Sequence, residues 1–303
     1  MAPKRSSGWG QVHWPPGKEN CDIETGPNSI RLPALCVLCG KRGGGKSSSF
    51  YFLMRQLKAD NLCDRVFILS PTADSPANLP YWKDLEVEEN DIHSVLDNSS
   101  LQKIRESVEE EGSTWLRESQ DVKDYQRLLK LLKGRKKIDT IDAQLLLTAQ
   151  DRGWFGDDAV PPTTRYNHKP RLHAFLDDCQ GSRVMVPSSQ SSLGSLSIRH
   201  RHVGGCGVSL YVAVQNYTSN QGVPRYLRTN CTVLVLFKIL DEKARQQVAD
   251  EVSGDVPREI FLQKWEEDTE QPYTPLVVEF GAKRHLFRAG WDRPLPCEYD
   301  PKP

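Results

Sequence analysis

The sequence feature that most constrains the fold is a glycine-rich loop that stands between an apolar run and a helical pattern. The loop reads Gly40-Lys41-Arg42-Gly43-Gly44-Gly45-Lys46-Ser47. Residues 35–39 before it are continuously apolar, as in a strand buried on both faces of a parallel sheet. Residues 48–57 after it have apolar side chains at helical spacing. Strand, glycine loop and helix in this order predict an anion-binding cradle at a helix N-terminus.

The fixed positions of the loop match the phosphate-loop pattern G-x-x-x-x-G-K-[ST], also called Walker A. We therefore expect the chain to bind ATP with Mg²⁺, with Lys46 on the β- and γ-phosphates and the Ser47 hydroxyl on the metal ion. A glycine-rich loop with a chance lysine is the alternative, and the flanking strand and helix disfavour it. The residues expected to contact the nucleotide are Gly40, Lys41, Arg42, Gly43, Gly44, Gly45, Lys46, Ser47 and Ser48.

A pair of acids follows another apolar run. Asp177 and Asp178 come directly after residues 172–176. A phosphate loop needs a carboxylate on a neighbouring strand to hold the metal, so Asp177 is the predicted Mg²⁺ ligand. Asp178 is the predicted base that accepts a proton from the attacking water. The alternative for both is a helix cap or an acid pair in a loop.

Three further polar positions are candidates for catalysis. Gln215 follows the apolar run 209–214 and is predicted to sense the γ-phosphate; a chance polar residue at a strand end is the alternative. Arg199 and Arg201 stand before that run, and either is a candidate arginine finger for a neighbouring subunit's nucleotide. A solvated basic turn is the alternative, and the two histidines in this segment are expected at the surface rather than on a metal.

The remaining apolar runs predict the fold. They alternate with helical segments, which favours an α/β domain with a mostly parallel central sheet flanked by helices. The predicted strands after the loop are 65–70, 172–176, 209–214 and 232–237. Residues 82–165 are predicted as a helical insertion with helices at about 101–111, 119–134 and 138–150. A C-terminal extension, 241–303, is predicted to hold helices at 241–252 and 256–268 and a hairpin from 276–280 and 285–288. Residues 1–28 are predicted as a flexible arm, and 29–303 as one domain.

Net charge, cysteine spacing and hydropathy bear on the partners of the protein and on its compartment. The formal net charge is zero, so any nucleic-acid surface must be a local patch. The basic run Lys130 to Lys137 is one candidate, and a solvated helix face is the other reading. The 8 cysteines lack the dense spacing of a secreted disulfide scaffold, which indicates an intracellular protein. Cys36 and Cys39 are expected as core thiols because they lie in a predicted buried strand. No apolar run approaches the roughly 20 residues of a membrane span.

Taken together, these motifs resemble the DNA-packaging ATPases of large eukaryotic DNA viruses, virophages and Polinton-type elements. That family belongs to the FtsK/HerA superfamily of P-loop ATPases, which implies a RecA-like sheet. The resemblance covers about residues 31–240, with a weaker similarity over 272–295. Besides the loop, the segments that carry it are 69–72, 176–178, 199–200, 214–215 and 223–230.

The resemblance implies a ring of identical subunits that hydrolyses ATP to drive double-stranded DNA into a preformed capsid. Capsid or vertex proteins would be its partners. The protein would be found in the host cytoplasm or nucleus, where virions assemble, and in association with the virion. The nucleotide, metal, base and sensor roles given above carry over to the same residues, and Arg228 becomes a third candidate finger. Asp178, where a glutamate often stands, and the insertion 82–165 depart from the general pattern.

Other functions stay open at this point. A phosphate-loop kinase acting on a small molecule, a GTPase, a HerA-like DNA-processing translocase and a non-hydrolysing interaction protein are the alternatives. No Asn-Lys-x-Asp string for guanine recognition occurs, which disfavours the GTPase. The intact loop and Asp177 disfavour the non-hydrolysing protein.

Overall fold

The structure is a computed structural model of the chain. It describes residues 23, 25, 29–134, 141–156, 158–186, 188, 191–218, 222–254, 256–281, 285–291 and 293–294. The predicted arm 1–28 lies almost wholly outside these residues, as do 135–137 of the basic run.

Within the described residues a single sheet has the strand order β3-β2-β4-β5-β1-β6-β7-β8-β9. The strands are β1 Leu35–Cys39, β2 Arg65–Leu69, β3 Ile92–His93, β4 Leu172–Leu176, β5 Val208–Val214, β6 Val233–Leu236, β7 Leu276–Glu279, β8 Leu286–Ala289 and β9 Arg293–Pro294. The helices are α1 Lys46–Ala59, α2 Leu79–Asp84, α3 Asn98–Lys133, α4 Ala143–Asp151, α5 Ser192–Arg199, α6 Arg225–Asn230, α7 Glu242–Val252 and α8 Arg258–Asp268. The predicted mostly parallel sheet flanked by helices is confirmed.

The first six strands are parallel, and their order positions the site. β5 pairs with β1 on one side and with β4 on the other. The carboxyl ends of β1, β4 and β5 therefore meet at one edge of the sheet, which we call the carboxyl edge. The opposite edge, where these strands begin, is the amino edge. Every loop that follows a parallel strand can contribute to one site at the carboxyl edge.

Both faces of the sheet are covered, which explains the unbroken apolar runs. Alternate residues of β1 belong to two separate cores: Val37 and Cys39 lie in one, Cys36 and Leu38 in the other. The two thiols therefore point to opposite faces, and burial raises the pKa of Cys39 to about 12. The prediction that Cys36 and Cys39 are core residues rather than a metal pair is confirmed.

The insertion differs from its prediction in two ways. The helices predicted at 101–111 and 119–134 form one helix of 36 residues, α3. Gly112 lies inside this helix. A Cβ there would be only 1.9 Å from the carbonyl oxygen of Gly204, so this close approach of the two backbones requires a glycine at position 112. The predicted start at 82 is also too early, since Trp82 is buried and β3 extends the central sheet.

The distal half of α3 leaves the sheet and packs with α4. Their small core is separate from the two main cores and consists of Leu128, Ile141, Leu145, Ala149 and Trp154. The predicted helical character of the insertion is thus confirmed for this part of it.

The predicted C-terminal hairpin is present as β7 and β8, which pair antiparallel. β7 also pairs antiparallel with β6, so the hairpin continues the central sheet instead of standing apart from it. The indole N–H of Trp265 in α8 donates to the carbonyl oxygen of Phe237 at 3.2 Å, which fixes α8 beside the end of β6. No helix in the described part of the chain is long and apolar enough to cross a membrane.

His173 is a buried polar group at the centre of the sheet. Its Nε2 lies 2.9 Å from the carbonyl oxygen of Leu62, which can only accept, so Nε2 carries the proton. Nδ1 then accepts from the Tyr211 hydroxyl at 3.1 Å. Burial lowers the pKa of His173 to about 4.

This histidine should make stability depend on pH. In the unfolded chain it titrates near 6.5, so between about pH 6.5 and 4 the unfolded state binds more protons than the folded state. The free energy of unfolding should fall by about 3 kcal/mol over that window from this residue alone. Urea midpoints at pH 7.5 and pH 5 measure the larger part of this loss, about 2 kcal/mol, and the loss should be smaller in His173→Phe than in the wild type. An equal loss in both proteins would contradict the assignment; the variant's residual dependence includes His200, whose pKa burial also lowers.

Candidate nucleotide-binding site

The glycine loop has the conformation that its sequence predicts. Gly45 immediately precedes α1 and has a φ of 95°, in the left-handed region that L side chains rarely adopt. A Cβ on Gly40 would lie 2.7 Å from the Cβ of Phe237. These two fixed glycines are therefore needed for the backbone geometry and for close packing. The loop ends at the N-terminus of a 14-residue helix, where peptide N–H groups attract an anion.

Lys46 lies across the loop. Its Nζ donates to the carbonyl oxygens of Gly40 at 2.9 Å and Lys41 at 3.1 Å. The residue is only 6% exposed, and burial lowers its pKa, an effect that the nearby Asp177 and Asp178 partly offset. A bound triphosphate would supply the negative charge that this buried ammonium group needs.

Ser47 and Asp177 are in direct contact. The Ser47 hydroxyl donates to Oδ2 of Asp177 at 2.7 Å, which joins the loop after β1 to the end of β4 across the intervening β5. Burial raises the pKa of Asp177 and Asp178 adds to the rise, while the Ser47 hydrogen bond and Lys46 lower it. A hydroxyl and a carboxylate are hard oxygen ligands, and together with substrate phosphates they suit Mg²⁺. The donor set fits the predicted metal ion.

Asp178 and Gln215 also come together at the carboxyl edge. The Gln215 amide Nε2 lies 3.4 Å from Oδ1 of Asp178. Asp178 itself has a φ of 50°, uncommon for a residue with a side chain, and its backbone N–H donates to Oδ1 of Asp177 at 3.0 Å. The structure therefore places the predicted base beside both the predicted sensor and the predicted metal ligand.

Gln180 is a part of this edge that the sequence analysis missed. Its Oε1 accepts the backbone N–H groups of Gln215 at 2.7 Å and Asn216 at 3.0 Å. It thereby ties the loop after β4 to the end of β5. Its position two residues after the acid pair was the available signal, but the strand order that makes it meaningful was not visible in the sequence.

Arg199 and Arg201 are placed at the amino edge. They precede β5, and the backbone N–H of Val208 donates to the carbonyl oxygen of His200. β5 spans about 20 Å from there to the carboxyl edge. Neither arginine can reach the phosphates bound by its own chain, and the role of a finger to a neighbouring subunit stays a prediction.

His200 corrects one expectation about this segment. It is 3% exposed rather than at the surface, with Nδ1 2.7 Å from the carbonyl oxygen of Ser197. The chain turns back from α5 into β5 at this residue, which buries its ring. His202 is exposed, as predicted. No group of three or more potential metal-ligating His, Cys, Asp or Glu residues occurs in the described part of the chain.

Arg228, the third candidate finger, is engaged inside its own chain. Its Nη1 pairs with Glu251 of α7, and its guanidinium lies 5.8 Å from the ring centroid of Tyr217. A role at a neighbouring nucleotide would require this ion pair to break.

Among known proteins, the chain is similar in structure rather than in sequence. No protein-family model matches the chain, and no curated protein matches it in sequence. Among solved structures, it is similar to the genome packaging NTPase B204 of Sulfolobus turreted icosahedral virus 2 in complex with ATP-gammaS. That match has 10% identity and a TM-score of 0.46, and it covers 84% of this chain and 97% of the other.

Two further solved structures are similar at the same level. The pCW3 conjugation coupling protein TcpA with ATPgS has 14% identity and a TM-score of 0.40, with 92% of this chain and 66% of that chain covered. EssC (ATPases 2 and 3) from Geobacillus thermodenitrificans has 13% identity and a TM-score of 0.44, with 89% and 41% covered. The neighbours thus include a viral genome-packaging NTPase, the class that the sequence resembles. At 10 to 14% identity, the likeness is one of fold alone.

The site geometry separates binding from turnover. Lys46→Ala removes the buried charge in the loop and should weaken ATP binding more than about 10-fold. Asp178→Asn keeps the shape of the side chain but removes the proton acceptor, so it should bind ATP normally and lose at least about 100-fold in turnover. Equilibrium nucleotide binding and phosphate release measure the two effects.

A matched control for the carboxylate change is Asp60→Asn, at the exposed C-terminal end of α1, which should behave as wild type. Wild-type turnover in Asp178→Asn would move the base to another residue.

Proposed function

We propose that this chain is a Mg²⁺-dependent ATPase that acts in a ring of identical subunits and drives double-stranded DNA into a viral capsid. The observation that carries the nucleotide part is the 2.7 Å hydrogen bond between Ser47 and Asp177 beside the buried Lys46. The sequence resemblance to DNA-packaging ATPases supports the DNA part.

Each residue at the carboxyl edge has a defined task in this proposal. The peptide N–H groups of the loop and Lys46 bind the triphosphate. Ser47 and Asp177 would hold a Mg²⁺ ion, which would supply positive charge beside the phosphates. A water attacks the γ-phosphorus, the bond to the bridging oxygen breaks, and Asp178 accepts the proton of the water. Gln215, in contact with Asp178, responds when the γ-phosphate leaves.

A ring explains why two candidate fingers lie at the amino edge. Arg199 and Arg201 are exposed there, far from the phosphate site of their own chain. In a ring, a neighbouring subunit can bring such an arginine to the γ-phosphate, where its charge stabilises the transition state. The site would then be complete only between two subunits.

A basic stripe on the distal half of α3 supports contact with DNA. Lys123, Arg127 and Lys130 are exposed and spaced by four and three residues, so they lie on one face of the helix. The stripe extends the basic run from the sequence analysis, of which Lys130 and Lys133 are described. A local stripe of this kind can bind phosphates although the net charge of the chain is zero.

DNA should therefore accelerate ATP hydrolysis. We expect double-stranded DNA to raise the steady-state rate severalfold at low salt and less as salt rises. The triple variant Lys123→Ala, Arg127→Ala, Lys130→Ala should keep the DNA-free rate, lose most of the stimulation and show a shallower salt dependence. Lys103→Ala, exposed on the proximal part of α3, is the control. Absence of stimulation in the wild type at low salt would contradict the motor and favour a small-molecule kinase.

The finger can be tested by mixing inactive subunits. Arg199→Ala or Arg201→Ala subunits retain an intact loop, whereas Lys46→Ala subunits retain intact arginines. If an arginine acts across an interface, a mixture should recover part of the wild-type rate that neither variant has alone. No recovery at any ratio, for either arginine, would assign them a role within their own subunit.

A further inference from the structure

Tyr273 occupies a backbone position that normally requires glycine. Residues 271–274 form a turn in which the Thr274 N–H donates to the carbonyl oxygen of Gln271 at 3.3 Å. Pro272 stands second and Tyr273 third, with a φ of 67°. This is a type II turn, whose third residue has positive φ and is usually Gly or Asn. A tyrosine there is strained, and such strain persists mainly at functional sites.

The side chain of Tyr273 lies against the phosphate loop. A Cβ built on Gly45 would be 2.9 Å from Cδ1 of Tyr273, so the ring and the loop are in contact. Yet Tyr273 is 69% exposed, so most of this aromatic side chain faces solvent. An aromatic ring in this position offers an open stacking surface beside the phosphates.

The strand order shows on which side of the loop the ring lies. β7 begins at Leu276, which pairs with Leu236 at the carboxyl end of β6. Tyr273 is therefore on the β6 side of the loop, whereas Asp178 and Gln215 follow β4 and β5 on the other side. A triphosphate whose γ end faces Asp178 and Gln215 has its nucleoside end directed towards the β6 side.

We propose that the ring of Tyr273 is the surface on which the nucleobase stacks, an inference that rests on the nucleotide-binding part of the proposed function. Every base has a π face, so stacking contributes affinity for a nucleotide over a bare triphosphate and does not select adenine from guanine. The position explains why a strained tyrosine stands where a glycine would suit the turn.

Replacement by glycine separates a ligand-binding role from a structural one. Tyr273→Gly relieves the backbone strain, so the melting temperature should stay equal or rise. The same variant should bind ATPγS with Mg²⁺ about 10-fold more weakly and bind inorganic tripolyphosphate, which has no base, as wild type does. Tyr273→Phe keeps the ring and should match the wild type with both ligands. Titration calorimetry and thermal unfolding give the readouts.

The remaining outcomes each decide the matter. Unchanged ATPγS affinity in Tyr273→Gly would overturn the stacking role and leave the proposed function standing. Equal weakening for ATPγS and tripolyphosphate, or a lower melting temperature, would make Tyr273 a support of the loop and also overturn it. Failure of the wild type to bind ATPγS would overturn the proposed function and the stacking role together.

Discussion

The hydrogen bond between Ser47 and Asp177 is the contact on which the rest of the site depends. It joins two loops that are 130 residues apart in sequence and that follow strands separated by a third. Because β5 lies between β1 and β4, its own carboxyl end brings Gln215 between the phosphate loop and the acid pair. Gln180 then fixes the backbone of Gln215 to the loop after β4. One strand order thus sets the positions of the predicted metal ligands, the predicted base and the predicted sensor.

Burial makes this site electrostatically dependent on its ligand. The pKa of Lys46 is lowered and that of Asp177 is raised, in both cases chiefly by burial. Each charge is costly where it lies and is only partly compensated by the other. A nucleoside triphosphate and a cation would provide the missing counter-charges. Their binding should therefore stabilise the folded chain. The charges of Lys46 and Asp177 therefore favour a charged ligand, because the protein's own groups compensate them only in part.

The candidate functional residues lie at opposite edges of the sheet. The carboxyl edge holds the residues for which we propose phosphate chemistry, while the amino edge carries Arg199 and Arg201. The turn after these arginines packs on α3 with almost no space, because Gly204 and Gly112 approach each other backbone to backbone. The same helix carries the basic stripe on its distal half. α3 therefore connects the two segments: the turn after the candidate fingers packs on its proximal half, and its distal half carries the basic stripe.

The sequence by itself determined the features that depend on local geometry. Apolar runs predicted five of the six parallel strands, all but the two-residue β3, and the glycines with Lys46 and Ser47 predicted the phosphate loop. Strand burial and the lack of a Cβ act within a few residues, so these features can be read locally. Only the tertiary structure decided the features that depend on distant segments. The break predicted between residues 111 and 119 is absent, and Gly112 lies inside α3 against the backbone of Gly204. His200 was expected at the surface, and the turn into β5 buries it. Tyr273 carries no local signal at all, since its neighbour Gly45 is more than two hundred residues away. Strand order and close backbone approach are set by packing across the whole core, and no short stretch of sequence encodes them.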